Sequence, residues 1–181
     1  MKTLALPGLR RDAGLTVESR MDGEDKVDTI TGHMAVYYRE GQPGTEYWLW
    51  EDVVERMMPG CFDRAVSESH DARCTFNHDM NQILGRRSAG TMDVVADADG
   101  LRYAVTPPDT AIARHVVENV RLRNVDGSSF MFAPTDVTWR EIERQDQPTL
   151  FVREINDVKQ YESGPVVLPA YEGSSSQMRS A

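Results

Sequence analysis

The sequence lacks the marks of disulfide-rich, secreted and membrane-spanning proteins. It has two cysteines among 181 residues, and we expect both, Cys61 and Cys74, to be small buried thiols rather than a disulfide. No apolar run approaches the roughly 20 residues that a membrane-spanning helix needs. The first residues are too short and too interrupted by Pro7 and charge for a signal peptide. We therefore expect cytoplasmic synthesis and no membrane partner.

Basic charge and cofactor motifs are also scarce. The formal net charge is −9, from 20 basic and 29 acidic residues, whereas nucleic-acid binding needs a clustered basic surface. CxxC, HExxH, GxxxxGK[ST] and GxGxxG are all missing, which leaves metal and nucleotide binding without local support. GxSxG is missing too, which excludes serine chemistry of the α/β-hydrolase kind. We predict no metal, no cofactor and no nucleic-acid partner.

Short β-forming segments make up most of what is present. The pattern predicts a short helix over 63–70, and the spacing of Ile112, Val116, Val117 and Val120 predicts an amphipathic helix over about 110–122, capped by Asp109 or Thr110. Strands are predicted at 29–38, 73–78, 91–96, 101–106, 125–133, 136–142, 150–155, 158–161 and 165–170. These elements indicate a β-rich α+β domain, a small closed or nearly closed barrel flanked by a few helices.

Composition divides the chain into three parts. Residues 1–28 are polar, mixed in charge and interrupted by glycines, which is typical of a partly mobile arm. Residues 29–172 hold the predicted strands and helices and form the folded domain. Residues 173–181 are rich in serine and predict a flexible tail.

One histidine and two serines could carry chemistry. His78 ends a predicted strand between Asn77 and Asp79, which can orient an imidazole, whereas the other histidines, His33, His70 and His115, have the surroundings of structural residues. Ser128 and Ser129 follow Gly127 into an apolar strand. They either form a glycine–serine turn or supply a nucleophile, which would need a histidine as its base. Acidic residues that could orient the histidine are too numerous for spacing to choose one, and Asp157 and Glu162 are both candidates.

Short segments between about Gly32 and Tyr171 also match, in order, the motifs of a known family. The segments are Pro59–Asp63 (PGCFD), Phe76–Asp79 (FNHD), Leu84–Arg86 with Gly90–Thr91, Gly100–Leu101, Pro107–Thr110, Gly127–Phe132 (GSSFMF), Arg153–Ile155, Tyr161–Glu162 and Pro165–Tyr171 (PVVLPAY). Each is weak alone, but together they resemble the tailed-bacteriophage prohead maturation proteases, which are related to herpesvirus assemblin. The resemblance implies the assemblin fold and a serine endopeptidase.

By position, the resemblance implies Ser129 as the nucleophile, with Ser128 as the alternative, and His78 as the general base. It implies Glu162 as the third member of the triad, with Asp157 as the alternative. Two departures stand beside these residues, because Met131 replaces the family's usual glycine and Ser163-Gly164 replaces its usual Val-Ser. Arg86 or Arg87 either helps to stabilise the oxyanion or forms exposed salt bridges.

The resemblance also implies partners and a location. The expected substrates are the scaffold protein, the scaffold-like extension of the major capsid protein, or both, together with the chain itself, for which residues 174–181 offer a cleavable segment. The site of action is the interior of the assembling prohead in the host cytoplasm, where the protease could act as a homodimer or a higher oligomer. The competing hypotheses are a proteolytically inactive scaffold- or capsid-binding assembly factor of the same fold, and an unrelated β-barrel binding domain.

Overall fold

The structure is a computed structural model that describes residues 15–23 and 25–169. In chain order its elements are β1 Thr16–Asp22, β2 Asp25–Val36, β3 Glu46–Trp50, β4 Val53–Met57, α1 Asp63–Ser67, β5 Arg73–Phe76, β6 Asp79–Arg86, a 3₁₀ turn Arg87–Ala89, β7 Met92–Ala96, β8 Gly100–Val105, α2 Ala111–Arg121, β9 Gly127–Arg144 and β10 Gln147–Val166. The prediction of a β-rich α+β domain with few helices is confirmed.

The strands form two sheets, and β10 is the central strand of the larger one. The smaller sheet is antiparallel, in the order β1-β2-β8-β7. In the larger sheet β9 pairs with one edge of β10 along most of its length. The other edge is shared between two parallel strands, because Phe151–Ile155 pair with β4 and Glu162–Ser163 pair with β5. One strand thus fixes β4, β5 and β9 relative to each other.

Apolar side chains from both sheets form the larger of two hydrophobic clusters among the described residues. The smaller sheet contributes Ile30, Met34 and Tyr103, and the larger one contributes Cys74, Leu84, Phe130, Ile155 and Val158. Phe62, the residue before helix α1, also lies in the core, and its ring lies edge-on to that of Phe130 at 5.9 Å between centroids. Both cysteines are free and buried, as the sequence predicts.

Helix α2 also packs its apolar face into this core. Thr110 caps its first turn by accepting a hydrogen bond from the backbone N–H of Ala113 at 3.2 Å. Ala113, Val116, Val117 and Val120 are buried, so the predicted helix and its apolar face are confirmed. That face is therefore used within the chain itself.

The predicted closed or nearly closed barrel is wrong for the residues that the structure describes, because no sheet closes on itself. The strand pattern predicts elements but not their partners. The strands predicted at 125–133 and 136–142 are one long strand, β9, and those at 150–155, 158–161 and the start of 165–170 are another, β10. Register shifts near Asp157 and Glu162 allow β10 to stay paired throughout, and the long hairpin extends the sheet instead of closing it.

The predicted division into parts stays a prediction. Strand β1 lies within the predicted arm of residues 1–28 and pairs with β2 over its whole length. Residues 1–14 and 170–181, which include the predicted tail, lie outside the described residues. Among the residues that are described, no helix is long and apolar enough to cross a membrane.

The cap of α2 gives a test of this fold. We expect Thr110→Ala to lower the free energy of unfolding by about 1 kcal/mol, because the N–H of Ala113 loses its acceptor. Thr110→Ser keeps the acceptor and should remain within about 0.5 kcal/mol of the wild type. Urea denaturation measures both variants, and an equal loss in both would show that the threonine methyl group matters instead of the cap.

Candidate active site

His78 lies in a tight turn that joins β5 to β6. The turn has two residues, Asn77 and His78, between the paired Phe76 and Asp79. Both have positive φ angles, +52° for Asn77 and +59° for His78, as type I′ hairpin turns require. Asparagine and histidine adopt positive φ angles more readily than most residues, but for any residue other than glycine the conformation costs about 1 kcal/mol or more. The strained turn places the imidazole at the end of β5, beside β10.

Asn77 ties this turn to the end of β10. Its backbone N–H donates to the carbonyl of Pro165 at 3.0 Å, and its side-chain oxygen accepts from the N–H of Val167 at 2.9 Å. Two hydrogen bonds on one residue therefore hold the loop that carries His78 against the strand that carries Glu162.

Glu162 is the buried partner of His78. Its side chain is 0% exposed, and Oε2 lies 2.6 Å from His78 Nδ1. The other oxygen, Oε1, accepts from the hydroxyl of Thr75 at 2.5 Å. A buried carboxylate is tolerated when it is paired, and both oxygens here have a donor. Because a carboxylate only accepts, the Nδ1–H donates and Nε2 is left free to take a proton.

The two serines of β9 face opposite sides of the sheet. Ser128 and Phe130 face the core, where the Ser128 hydroxyl lies 3.0 Å from that of the buried Tyr103. Side chains alternate along a strand, so Ser129 faces the other side. Across the β9–β10 pair Ser129 stands opposite Gly164.

Ser129 and Glu162 are diagonal neighbours on that second side of the sheet, where both are buried. Gly164 and Glu162 are two residues apart on β10, so both face the side that carries Ser129. Diagonal neighbours on adjacent strands lie roughly 7–8 Å apart. In the described part of the chain the Ser129 hydroxyl forms no hydrogen bond with His78, and Ser129 is only 4% exposed.

The chain that leaves β10 borders this site on two sides. Val167 is bonded to Asn77, next to His78. Pro169 lies against Gly127, which is two residues before Ser129 and so presents the same side of β9. A Cβ on Gly127 would be 2.6 Å from the Pro169 ring. The glycine before the serine pair is therefore needed for this close approach, and residues 167–169 lie along the edge of the site.

A comparison with protein-family models identifies the family of the chain. Residues 15–181 match the family model described as caudovirus prohead serine protease. The chain belongs to this family. No curated protein and no solved structure matches the chain. In a prohead serine protease, the His78–Glu162 pair and Ser129, which lie on the same side of the sheet, are candidates for the catalytic residues.

The other predicted site residues of this prohead protease have partners elsewhere. Asp157, the alternative third member, accepts from Arg64 Nε at 2.9 Å and from the Thr135 hydroxyl, and the Arg64 hydrogen bond lowers the pKa of Asp157. Arg86 forms an exposed salt bridge with Asp71. Arg87 donates to the carbonyls of Ala65 and Val66 at the end of α1. In the structure, His78 and Thr75 both hydrogen-bond Glu162, whereas Asp157 pairs with Arg64.

Neither cysteine has the features of an alternative nucleophile. Burial raises the pKa of the Cys61 thiol, and burial also raises that of Cys74 well above its usual value. A buried thiol with a raised pKa carries little thiolate, which is the reactive form. Within the described part of the protease, a serine is therefore the better candidate.

One group of side chains has the spacing of a metal site. Ligand atoms of His33, Asp97 and Asp99 lie within 4.8 Å of one another. The charge there is already balanced, because Arg39 pairs with Asp99 at 2.7 Å and Arg102 lies 3.8 Å from Asp97. Asp97 also accepts from the backbone N–H groups of its own turn. We interpret the group as an ion-pair network that holds the β7–β8 turn.

Sequence reasoning missed the roles of Thr75 and Gly164, and it named the wrong partners for the His78 imidazole. Asn77 bonds Pro165 and Val167, and Asp79 bonds Asn81 and Gln82, whereas Glu162 bonds the imidazole. Thr75 precedes His78 by three residues, but polar residues near a strand end are common, so its position alone carried no signal. Gly164 is next to β5, and a Cβ there would be 1.9 Å from the Thr75 carbonyl oxygen. That approach depends on the pairing of distant strands and leaves no mark in local sequence.

Gly164 and its neighbour provide a matched pair of variants. We expect Gly164→Ala to lower the free energy of unfolding by about 1–3 kcal/mol, because the new methyl group meets backbone that cannot move aside. Ser163→Ala removes a buried hydroxyl that has no partner among the described residues, and should stay within about 0.5 kcal/mol of the wild type. Chemical denaturation measures both, and a neutral Gly164→Ala would show that β5 and β10 lie further apart.

Proposed function

We propose that this chain is a prohead maturation serine endopeptidase with Ser129 as nucleophile, His78 as general base and Glu162 as the residue that orients the base. One observation carries the proposal. The fully buried Glu162 bonds His78 Nδ1 at 2.6 Å, on the side of the sheet that carries Ser129. This arrangement presets the tautomer in which Nε2 can accept a proton.

The mechanism is acyl transfer. Ser129 Oγ attacks the peptide carbonyl carbon while its proton passes to His78 Nε2, and the imidazolium then protonates the leaving amine. Water, deprotonated by His78, hydrolyses the acyl-enzyme and regenerates Ser129. The Glu162 carboxylate stabilises the positive imidazole in both halves of the reaction. The bond between Ser129 and His78 forms in the substrate complex, since catalytic hydrogen bonds commonly tighten there.

The substrates in this proposal are proteins of the assembling head. They are the scaffold protein and the scaffold-like extension of the major capsid protein, which the family description of a prohead protease supports. Self-cleavage in residues 174–181 is part of the proposal, because the sequence of this segment is typical of the extended chains that proteases bind as added strands. The reaction takes place inside the prohead in the host cytoplasm.

The nucleophile is tested by co-expression with the capsid and scaffold proteins of the same genome. We expect the wild type to shorten a partner or itself, as read by intact-mass spectrometry, and Ser129→Ala to lose at least about 1,000-fold of the rate. Ser128→Ala is the matched control and should still cut, since Ser128 bonds Tyr103 in the core. Cutting by Ser129→Ala but not by Ser128→Ala would move the nucleophile to Ser128. Shells that assemble without any cutting would favour the inactive assembly factor.

The third member is tested by two amide variants. Glu162→Gln keeps the shape of the side chain but can present an N–H to His78, so we expect kcat/KM to fall about 10³- to 10⁴-fold. Asp157→Asn weakens a partly exposed ion pair with Arg64 and should leave kcat/KM within about threefold, with a small loss of stability. The substrate is a peptide that spans the junction found by mass spectrometry. A larger loss in Asp157→Asn than in Glu162→Gln would reverse the assignment.

A further inference from the structure

Thr75 is fully buried in β5, and its hydroxyl points at the proposed triad. The hydroxyl donates to Glu162 Oε1 at 2.5 Å, the oxygen that His78 does not use. A buried hydroxyl is costly without a partner, and here its partner is a carboxylate, which makes the hydrogen bond charge-assisted. Among the described residues, Thr75 and His78 are the side chains that hydrogen-bond this carboxylate.

The backbone of Thr75 packs closely against Gly164 of β10. The Thr75 carbonyl oxygen lies so close to Gly164 that a Cβ on Gly164 would be 1.9 Å from it. The β5–β6 pairing shifts register on both sides of Thr75, so neither neighbour can follow an ideal ladder. The close packing of β5 on β10 thus places the Thr75 backbone at the distance from which its hydroxyl reaches Glu162.

Two hydrogen bonds to different oxygens fix the rotation of a carboxylate plane. With Thr75 on Oε1, only Oε2 faces His78 Nδ1. Without that donor, the Glu162 carboxylate would have an unsatisfied oxygen in a buried site, and rotation of the group would relieve the cost. That rotation would loosen the hydrogen bond that sets the tautomer of His78.

We propose that Thr75 is a positioning residue, which orients the Glu162 carboxylate so that His78 presents an unprotonated Nε2 to Ser129. The inference rests on the proposed function of the triad. Thr75 has no exposed surface, so substrate does not touch it, and its contribution falls on kcat and not on KM.

Thr75→Val and Thr75→Ser form the decisive pair. Valine has the shape of threonine without the hydroxyl, and we expect kcat to fall about 10- to 100-fold while KM stays within about twofold, as for the loss of a hydrogen bond to a charged group. Serine restores the donor, so Thr75→Ser should recover kcat to within about threefold of the wild type. Thr75→Ala serves as a second variant without a hydroxyl if Thr75→Val does not fold.

A readout independent of substrate follows the hydrogen bond itself. The Nδ1–H proton of His78 should give a far-downfield resonance in the proton NMR spectrum, assigned by its absence in His78→Gln. We expect the resonance to move or broaden in Thr75→Val and to keep its position in Thr75→Ser. Labelling of Ser129 by a fluorophosphonate probe should slow in parallel with kcat.

The outcomes separate this inference from the proposed function. Wild-type kcat and an unmoved Nδ1–H resonance in Thr75→Val would overturn the role of Thr75 while the triad stands. Equal defects in Thr75→Val and Thr75→Ser, with lowered melting temperatures, would also overturn it, because packing would then explain both. A wild type that neither cuts nor reacts with the probe would reject the proposed function, and the NMR comparison would still decide whether Thr75 orients Glu162.

Discussion

The burial of the Glu162 carboxylate is the constraint on which the rest of the site depends. A carboxylate without access to water needs donors at both oxygens, and these come from Thr75 in β5 and from His78 in the turn after it. Both can reach Glu162 only if β5 runs parallel to β10 and directly beside it, as it does at Glu162 and Ser163. The strand arrangement and the candidate chemistry are therefore parts of one solution.

Strand register decides which serine faces the candidate base. A slip of one residue between β9 and β10 would turn Ser129 into the core and Ser128 outward. Phe130, the next residue along β9, opposes such a slip, because its ring stacks on that of Phe132 at 4.7 Å between centroids and lies edge-on to that of Phe62 in the core. Tyr103 adds a hydrogen bond to Ser128. Core packing on one side of β9 thus determines which hydroxyl the other side presents.

Local patterns predicted local features well, and they failed where distant strands meet. The α2 helix carries its own period and cap, and the short β7–β8 turn carries Asp99-Gly100, so both could be predicted. The strand predicted at 73–78 ends at Phe76, and no strand was predicted for the segment that forms β6. Nothing local distinguishes one long β10 from three short strands. Asp157 and Glu162 differ in their partners, Arg64 and His78, and those contacts arise only from the pairing of β10 with its neighbours.

Of the two residues at 163 and 164 that depart from the pattern of the resemblance, Gly164 is explained by the packing of β5 on β10, and nothing in the structure explains Ser163. Residue 163 faces the core. A valine there would need no hydrogen-bond partner, whereas the Ser163 hydroxyl is buried without one within the described residues. Residue 164 lies so close to β5 that any Cβ on it would collide with the Thr75 carbonyl. Glycine at 164 therefore permits the close approach that brings Thr75 to Glu162. Because serine at 163 points away from that contact, the pair of changes leaves the Thr75–Glu162–His78 connection intact.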